Sequence, residues 1–99
     1  MTIEVKKEEG ILKLEIRGRL DTTTAPQLEE TFCNNSIDTT ILIMDCLDLE
    51  YVSSAGLRVL LMAHKTMVGK GGIMVVKNAN AKVKEVLDIT GFSQVLKIE

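Results

Sequence analysis

The chain has no tryptophan, one tyrosine, two phenylalanines, one proline, one histidine and two cysteines among 99 residues. With aromatics at 3% and apolar residues at 45%, a folded core must be built from Val, Ile, Leu and Met, and a disordered chain is excluded. No apolar run approaches the ~20 residues that a membrane helix needs, and no signal-peptide h-region opens the chain. Membrane insertion is therefore not expected. A formal charge of −2 with mixed signs gives no electrostatic footprint for nucleic acid or anionic lipid. Cys33 and Cys46 lack a CxxC or His-rich context, so they read as reduced, partly buried thiols of a cytoplasmic protein, with no disulfide or metal site. No Ser–His–Asp set, metal loop or Gly-rich nucleotide motif stands in usable spacing. The expectation is a protein that is not an enzyme and needs no cofactor. Asp45, Asp48 and Glu50 match no metal spacing and read as solvated loop carboxylates.

What is present fits one domain spanning 1–99. Ile3 and Val5, then Leu12, Leu14 and Ile16, alternate with polar residues around Glu8-Glu9-Gly10, which predicts a β-hairpin with one wet face. A further short strand is expected at Arg19 and Leu20. Thr24-Ala-Pro-Gln27 reads as a helix start, with Thr24 capping, Gln27 reaching back and Pro26 in the first turn. Asn34-Asn35-Ser36 ends that helix. The run 41–44 predicts a central strand, 45–53 a loop with Leu49 and Tyr51 packing back, and 55–68 a helix closed by Gly69 and Gly71-Gly72. In that helix Leu57, Leu60, Leu61 and Val68 share a face, with His64 beside them as a core-edge residue with one satisfied nitrogen. Residues 73–76 form another strand, Asn80 caps a third helix with Val83, Val86 and Leu87 inward, and 95–98 close the chain as a strand. Strand–helix alternation from 41 to 98 predicts an α/β fold: a mixed, partly parallel sheet of four to five strands with about three helices packed on it.

Chemistry in such folds gathers where strands hand over to helices. Ser53 and Ser54 occupy one handover and the loop 20–24, with Asp21 as turn acid, another. Two readings of Ser54 stand open. It caps the helix, a role worth about 1 kcal/mol, or it is a hydroxyl on which a phosphate is written and erased, since a helix N-terminus seats an anion. Ala55 and Gly56 are small and leave room for a partner, and Arg58 stands one turn in. Ser53 is a second candidate of lower rank. Met62, between Arg58 and Lys65, reads as an exposed methionine that could belong to a docking face.

Gly18-Arg-Leu-Asp-Thr-Thr-Thr-Ala25, Ile41-Leu-Ile-Met-Asp45 and Leu49-Glu-Tyr-Val-Ser-Ser-Ala-Gly-Leu-Arg58 closely resemble the STAS domain, in particular the bacterial anti-sigma-factor antagonists. The resemblance covers essentially the whole chain. It implies a protein-protein interaction domain of transcription regulation whose unphosphorylated form binds an anti-sigma factor with serine kinase activity and frees a sigma factor. Phosphorylation by that partner ends binding, and a phosphatase resets it. The family's phosphoserine stands two residues before the glycine, here Ser54, with Ser53 where aspartate is frequent. Asp21 matches a family aspartate, and the partner surface is expected at Asp21, Thr22, Ser53, Ser54, Ala55, Gly56, Arg58 and Met62. Many members carry a further C-terminal helix beyond the position of Glu99, so contacts it supplies are expected to be absent or replaced here. Two other roles compete: a STAS adaptor or regulatory subunit of a transporter or other complex without phosphorylation, and a small-ligand or nucleotide sensor using the pocket near Asp21 and Ser54.

Overall fold

The computed structural model describes residues 1–99. Thr2–Glu8 (β1) and Ile11–Leu20 (β2) form the expected antiparallel hairpin, turning at Glu9-Gly10 with Gly10 at φ 82°. Ala25–Asn35 (α1), Ile41–Val52 (β3), Ser54–Gly69 (α2), Ile73–Lys77 (β4) and Ala81–Ile89 (α3) follow, then a 3-10 turn at Phe92–Gln94 and Lys97–Ile98 (β5). The strands lie in one five-stranded sheet in the order β1-β2-β3-β4-β5, with β1 antiparallel to β2 and every later pair parallel.

Period-two alternation decides which face is covered. Leu12, Leu14 and Ile16 point inward and are buried, as are Leu42, Met44 and Cys46 on β3. One core cluster of 22 residues joins them to Leu28 and Phe32 of α1, Leu57, Leu60, Ala63 and Met67 of α2, and Val83 and Leu87 of α3. Each fully buried side chain of this size stabilises the fold by about 1.5–3 kcal/mol. The opposite face is wet. There Glu15 receives Lys6 at 3.1 Å, Lys13 at 3.4 Å and Arg17 at 3.2 Å, and Arg17 also reaches Glu4 and Asp48.

The structure corrects several expectations. β2 runs unbroken to Leu20 through register shifts on either side of Arg17-Gly18, where Gly18 adopts φ 98°, so Arg19 and Leu20 belong to it and form no separate strand. β3 continues to Val52 where a loop was expected from residue 45. Asp45 is accordingly not solvated: it is buried, accepts bonds from the Leu47 N–H and the Asn78 amide at 3.1 Å each, and pairs with Lys13. Leu49 packs inward as expected, but Tyr51 is 41% exposed beneath the Arg19 guanidinium. The Thr24 capping box does not form. Thr24 Oγ1 donates to the Arg19 carbonyl at 2.7 Å instead, and Gln27 reaches the Met1 carbonyl. On α2 the inward face is Leu57, Leu60, Ala63 and Met67, while Val68 is 56% exposed. His64 is half-buried with Nδ1 buried and unpartnered, contrary to the expected satisfied nitrogen. Cys46 is buried and Cys33 exposed. The final strand starts at Lys97, because residues 92–94 first make a 3-10 turn.

Candidate functional site

The site lies where β2 and β3 end side by side. Leu20 pairs with Val52, and the ladder closes with one more bond, from the Ser53 N–H to the Leu20 carbonyl at 2.9 Å. That bond holds Ser53 extended, at φ −94° and ψ 175°, which makes it the residue preceding the first helical turn. Its Oγ accepts from the Gly56 N–H at 3.3 Å. Ser53 is therefore the N-cap of α2, and Ser54 is the first helical residue. The Ser54 side chain is exposed and makes no hydrogen bond within the chain. The cap role open to Ser54 in the sequence falls to its neighbour.

Gly56 is buried, so it offers a partner no surface. Its role is to permit contact: a Cβ there would stand 2.6 Å from Leu20 Cγ and 2.9 Å from the Leu20 carbonyl oxygen. The first turn of α2 thus sits directly on the end of β2, beside the loop that starts at Asp21. In that loop Asp21 Oδ1 accepts from the Thr23 hydroxyl at 2.8 Å and from the N–H groups of Thr23 and Thr24 at 3.0 and 3.2 Å. These bonds, the Thr23 hydroxyl foremost, hold the carboxyl below its ordinary pKa of 3.8. Its other oxygen is 3.9 Å from Arg19 Nε, and the same guanidinium lies 4.3 Å from the Tyr51 ring centroid.

The remaining expected residues flank Ser54 on one surface. Thr22, Ala55, Arg58 and Met62 line an open groove of about 680 Å³ between α1 and α2, with Cys33 on its α1 side. Met62 is half-buried and packs against the core, so it is a groove wall and not the free-standing methionine expected. Thr23, Thr24, Arg19 and Tyr51 were missed by sequence reasoning although they hold Asp21 or its neighbour in place. The Asp-Thr-Thr-Thr string is itself an Asx-turn signal that would have found the threonines. Beyond Arg19 and Tyr51 a second pocket of about 320 Å³ runs to Val86 and Ile89 of α3. No group of His, Cys, Asp or Glu is arranged to hold a metal ion, and no helix is long and apolar enough to cross a membrane.

This arrangement is a mixed sheet with a serine exposed at the start of the helix that follows its long central strand. The model of the STAS domain family matches residues 2–99, and the chain belongs to that family. It is similar to the anti-sigma-B factor antagonist of Bacillus subtilis strain 168, 26% identical over 99% of this chain and 90% of that protein. It is also similar to the anti-sigma F factor antagonist of Paenibacillus polymyxa, 28% identical over 99% and 86%. Its fold is that of the anti-sigma factor antagonist SpoIIAA in its unphosphorylated form, with a TM-score of 0.86, 16% identity and coverage of 99% and 88%. The phosphorylated form of the Bacillus SpoIIAA gives 0.78, 14%, 99% and 91%.

Proposed function

We propose that this chain is an anti-sigma-factor antagonist switched by phosphorylation of Ser54. In the unmodified state the surface formed by the Asp21–Thr22 loop, Ser53, Ser54, Ala55, Arg58 and Met62 docks on an anti-sigma factor and releases the sigma factor it holds. That partner is also the kinase: the γ-phosphoryl group of its bound ATP passes to Ser54 Oγ, ADP leaves, and a base on the partner takes the hydroxyl proton. A phosphatase hydrolyses the ester and restores the docking surface. The setting is the bacterial cytoplasm, where sigma factors work.

One observation carries this reading. The Ser54 hydroxyl is exposed and free of internal bonds because Ser53 holds the cap. Modifying Ser54 therefore breaks nothing in the fold. The phosphate adds about −1.5 to −2 charge at the positive end of α2, where it regains about 0.3–1 kcal/mol. Across a docked interface the same charge is desolvated and costs several kcal/mol. A net loss of about 3 kcal/mol is about a hundredfold in affinity, enough to exchange partners. The names of the curated relatives, both antagonists of anti-sigma factors, support the partner class.

The test is to incubate the chain with its anti-sigma kinase and ATP and map added phosphate by mass. A single phosphate on Ser54 is expected, with none on Ser54→Ala and normal transfer to Ser53→Ala. Ser54→Glu should bind the anti-sigma factor at least tenfold more weakly. Phosphate on Ser53, no transfer at all, or unchanged binding of Ser54→Glu refutes the switch.

A further inference from the structure

β1 stands at one end of the sheet, paired with β2 on one side and with no strand on the other. A free strand edge exposes alternate backbone N–H and C=O groups, and lysines on such a strand ordinarily guard it against pairing. Here the guard has one gap. Consider β1 laid antiparallel against β1 of a second copy, about a two-fold axis perpendicular to the sheet. The register that overlaps the whole strand Thr2–Glu8 puts Val5 opposite its own copy, Glu4 opposite Lys6, Ile3 opposite Lys7 and Thr2 opposite Glu8. Each acid meets a lysine or a threonine, and no like charges face each other. Sliding the partner by two residues sets Glu4 against Glu4 in one direction and Lys6 against Lys6 in the other, and shortens the overlap in both.

The neighbouring strand prepares this register. Lys6 pairs with Glu15 at 3.1 Å and Glu4 with Arg17 at 3.2 Å on the solvent face, so an opposed Glu4 and Lys6 would join an ion network already present on that face. On the other face Val5 is 38% exposed, and a second Val5 would cover it.

We infer that the β1 edge is a homodimerisation surface, which continues the sheet of one copy into that of another with Glu4 facing Lys6 twice across the two-fold axis. β1 supplies no residue to the Ser54 site, so this inference stands or falls apart from the switch.

Sedimentation equilibrium of the full chain over a wide concentration series tests it, and a shift from monomer to dimer mass is expected. Glu4→Lys makes the strand basic at positions 4 and 6, and Lys6→Glu makes it acidic at both. Each variant alone should associate about tenfold more weakly, because two attractive cross-strand pairs become repulsive. Mixed one to one they should associate at least as well as the wild type, since every Lys again faces a Glu. Circular dichroism checks that both are folded. If either is not, oxidation of Val5→Cys in a Cys33→Ser background reads the register directly. It should give a disulfide-linked dimer, whereas Lys7→Cys in the same background should not. A wild-type chain that stays monomeric throughout, a mixture no better than its components, or equal linkage at positions 5 and 7 overturns the inference.

Discussion

Replacing Gly56 by alanine tests the contact that brings the two loops of the site together. Within a helix, glycine to alanine ordinarily stabilises by about 0.5–1 kcal/mol through backbone entropy. At Gly56 the new Cβ would lie 2.6 Å from Leu20 Cγ and 2.9 Å from the Leu20 carbonyl oxygen. Neither neighbour can give way cheaply. Leu20 is fully buried, and its carbonyl accepts the Ser53 N–H at 2.9 Å, the bond that ends the β2–β3 ladder. Overpacking of this kind costs about 1–3 kcal/mol. The net effect of Gly56→Ala is a destabilisation of about 1–2 kcal/mol, read in urea unfolding as a lower midpoint at unchanged slope, or as a melting temperature lower by about 4–15 °C. Gly69→Ala is the control, because nothing lies within 4 Å of a Cβ at that last residue of α2, and it should leave stability unchanged or slightly higher. A Gly56→Ala protein as stable as the wild type would refute the claim that α2 is seated on Leu20 by the absence of a side chain. The same substitution shifts the start of α2 relative to Asp21, so partner binding should fall with it.

Ser53→Ala should cost about 1 kcal/mol in unfolding free energy through loss of the bond to the Gly56 N–H, while Ser54→Ala, with no bond to lose, should stay within about 0.5 kcal/mol of the wild type. Asp21, held below its ordinary pKa of 3.8 by the Thr23 hydroxyl and the backbone N–H groups of Thr23 and Thr24, contributes stability that is fully present above that value and lost as pH falls through the lower folded value. Asp21→Asn should therefore flatten the stability–pH curve below about pH 4 and leave its shape at neutral pH unchanged. Thiol titration should find one fast cysteine in the native protein and two in denaturant, because Cys33 is exposed whereas burial, reinforced by Asp45, pushes the Cys46 thiol up to about 12. Two fast thiols in the native state would contradict the packing of β3.

The largest departure of the structure from the sequence reading, the length of β3, comes from the one-sided covering of the sheet by helices. A strand buried on both faces reads as a continuous apolar run, which is why 41–44 looked like the whole of β3 and Asp45, Asp48 and Glu50 looked like a loop. Only one face is covered, so the outward positions past Met44 are free to carry carboxylates, and Asp45 and Asp48 meet Lys13 and Arg17 of β2 across the ladder. The register shift within 45–48 puts Leu47 and Asp48 outward in succession, which breaks the period of two that would have revealed the strand. By contrast Leu12, Leu14 and Ile16 keep a strict alternation, and β2 was legible from it. The same long reach of β3 decides the ambiguity at the site. Nothing local separates two adjacent serines as helix caps, since either hydroxyl could reach back to an N–H of the first turn. What separates them is a partner 33 residues away in sequence: the Leu20 carbonyl captures the Ser53 N–H and keeps that residue extended, so the helix must begin at Ser54. Had the ladder ended at Val52 without that bond, Ser54 could have rotated into the cap and tied up its own oxygen. The availability of the Ser54 hydroxyl is thus a property of strand pairing, and substitutions that shorten the β2–β3 ladder at Leu20 should dull a switch at Ser54 without touching either serine.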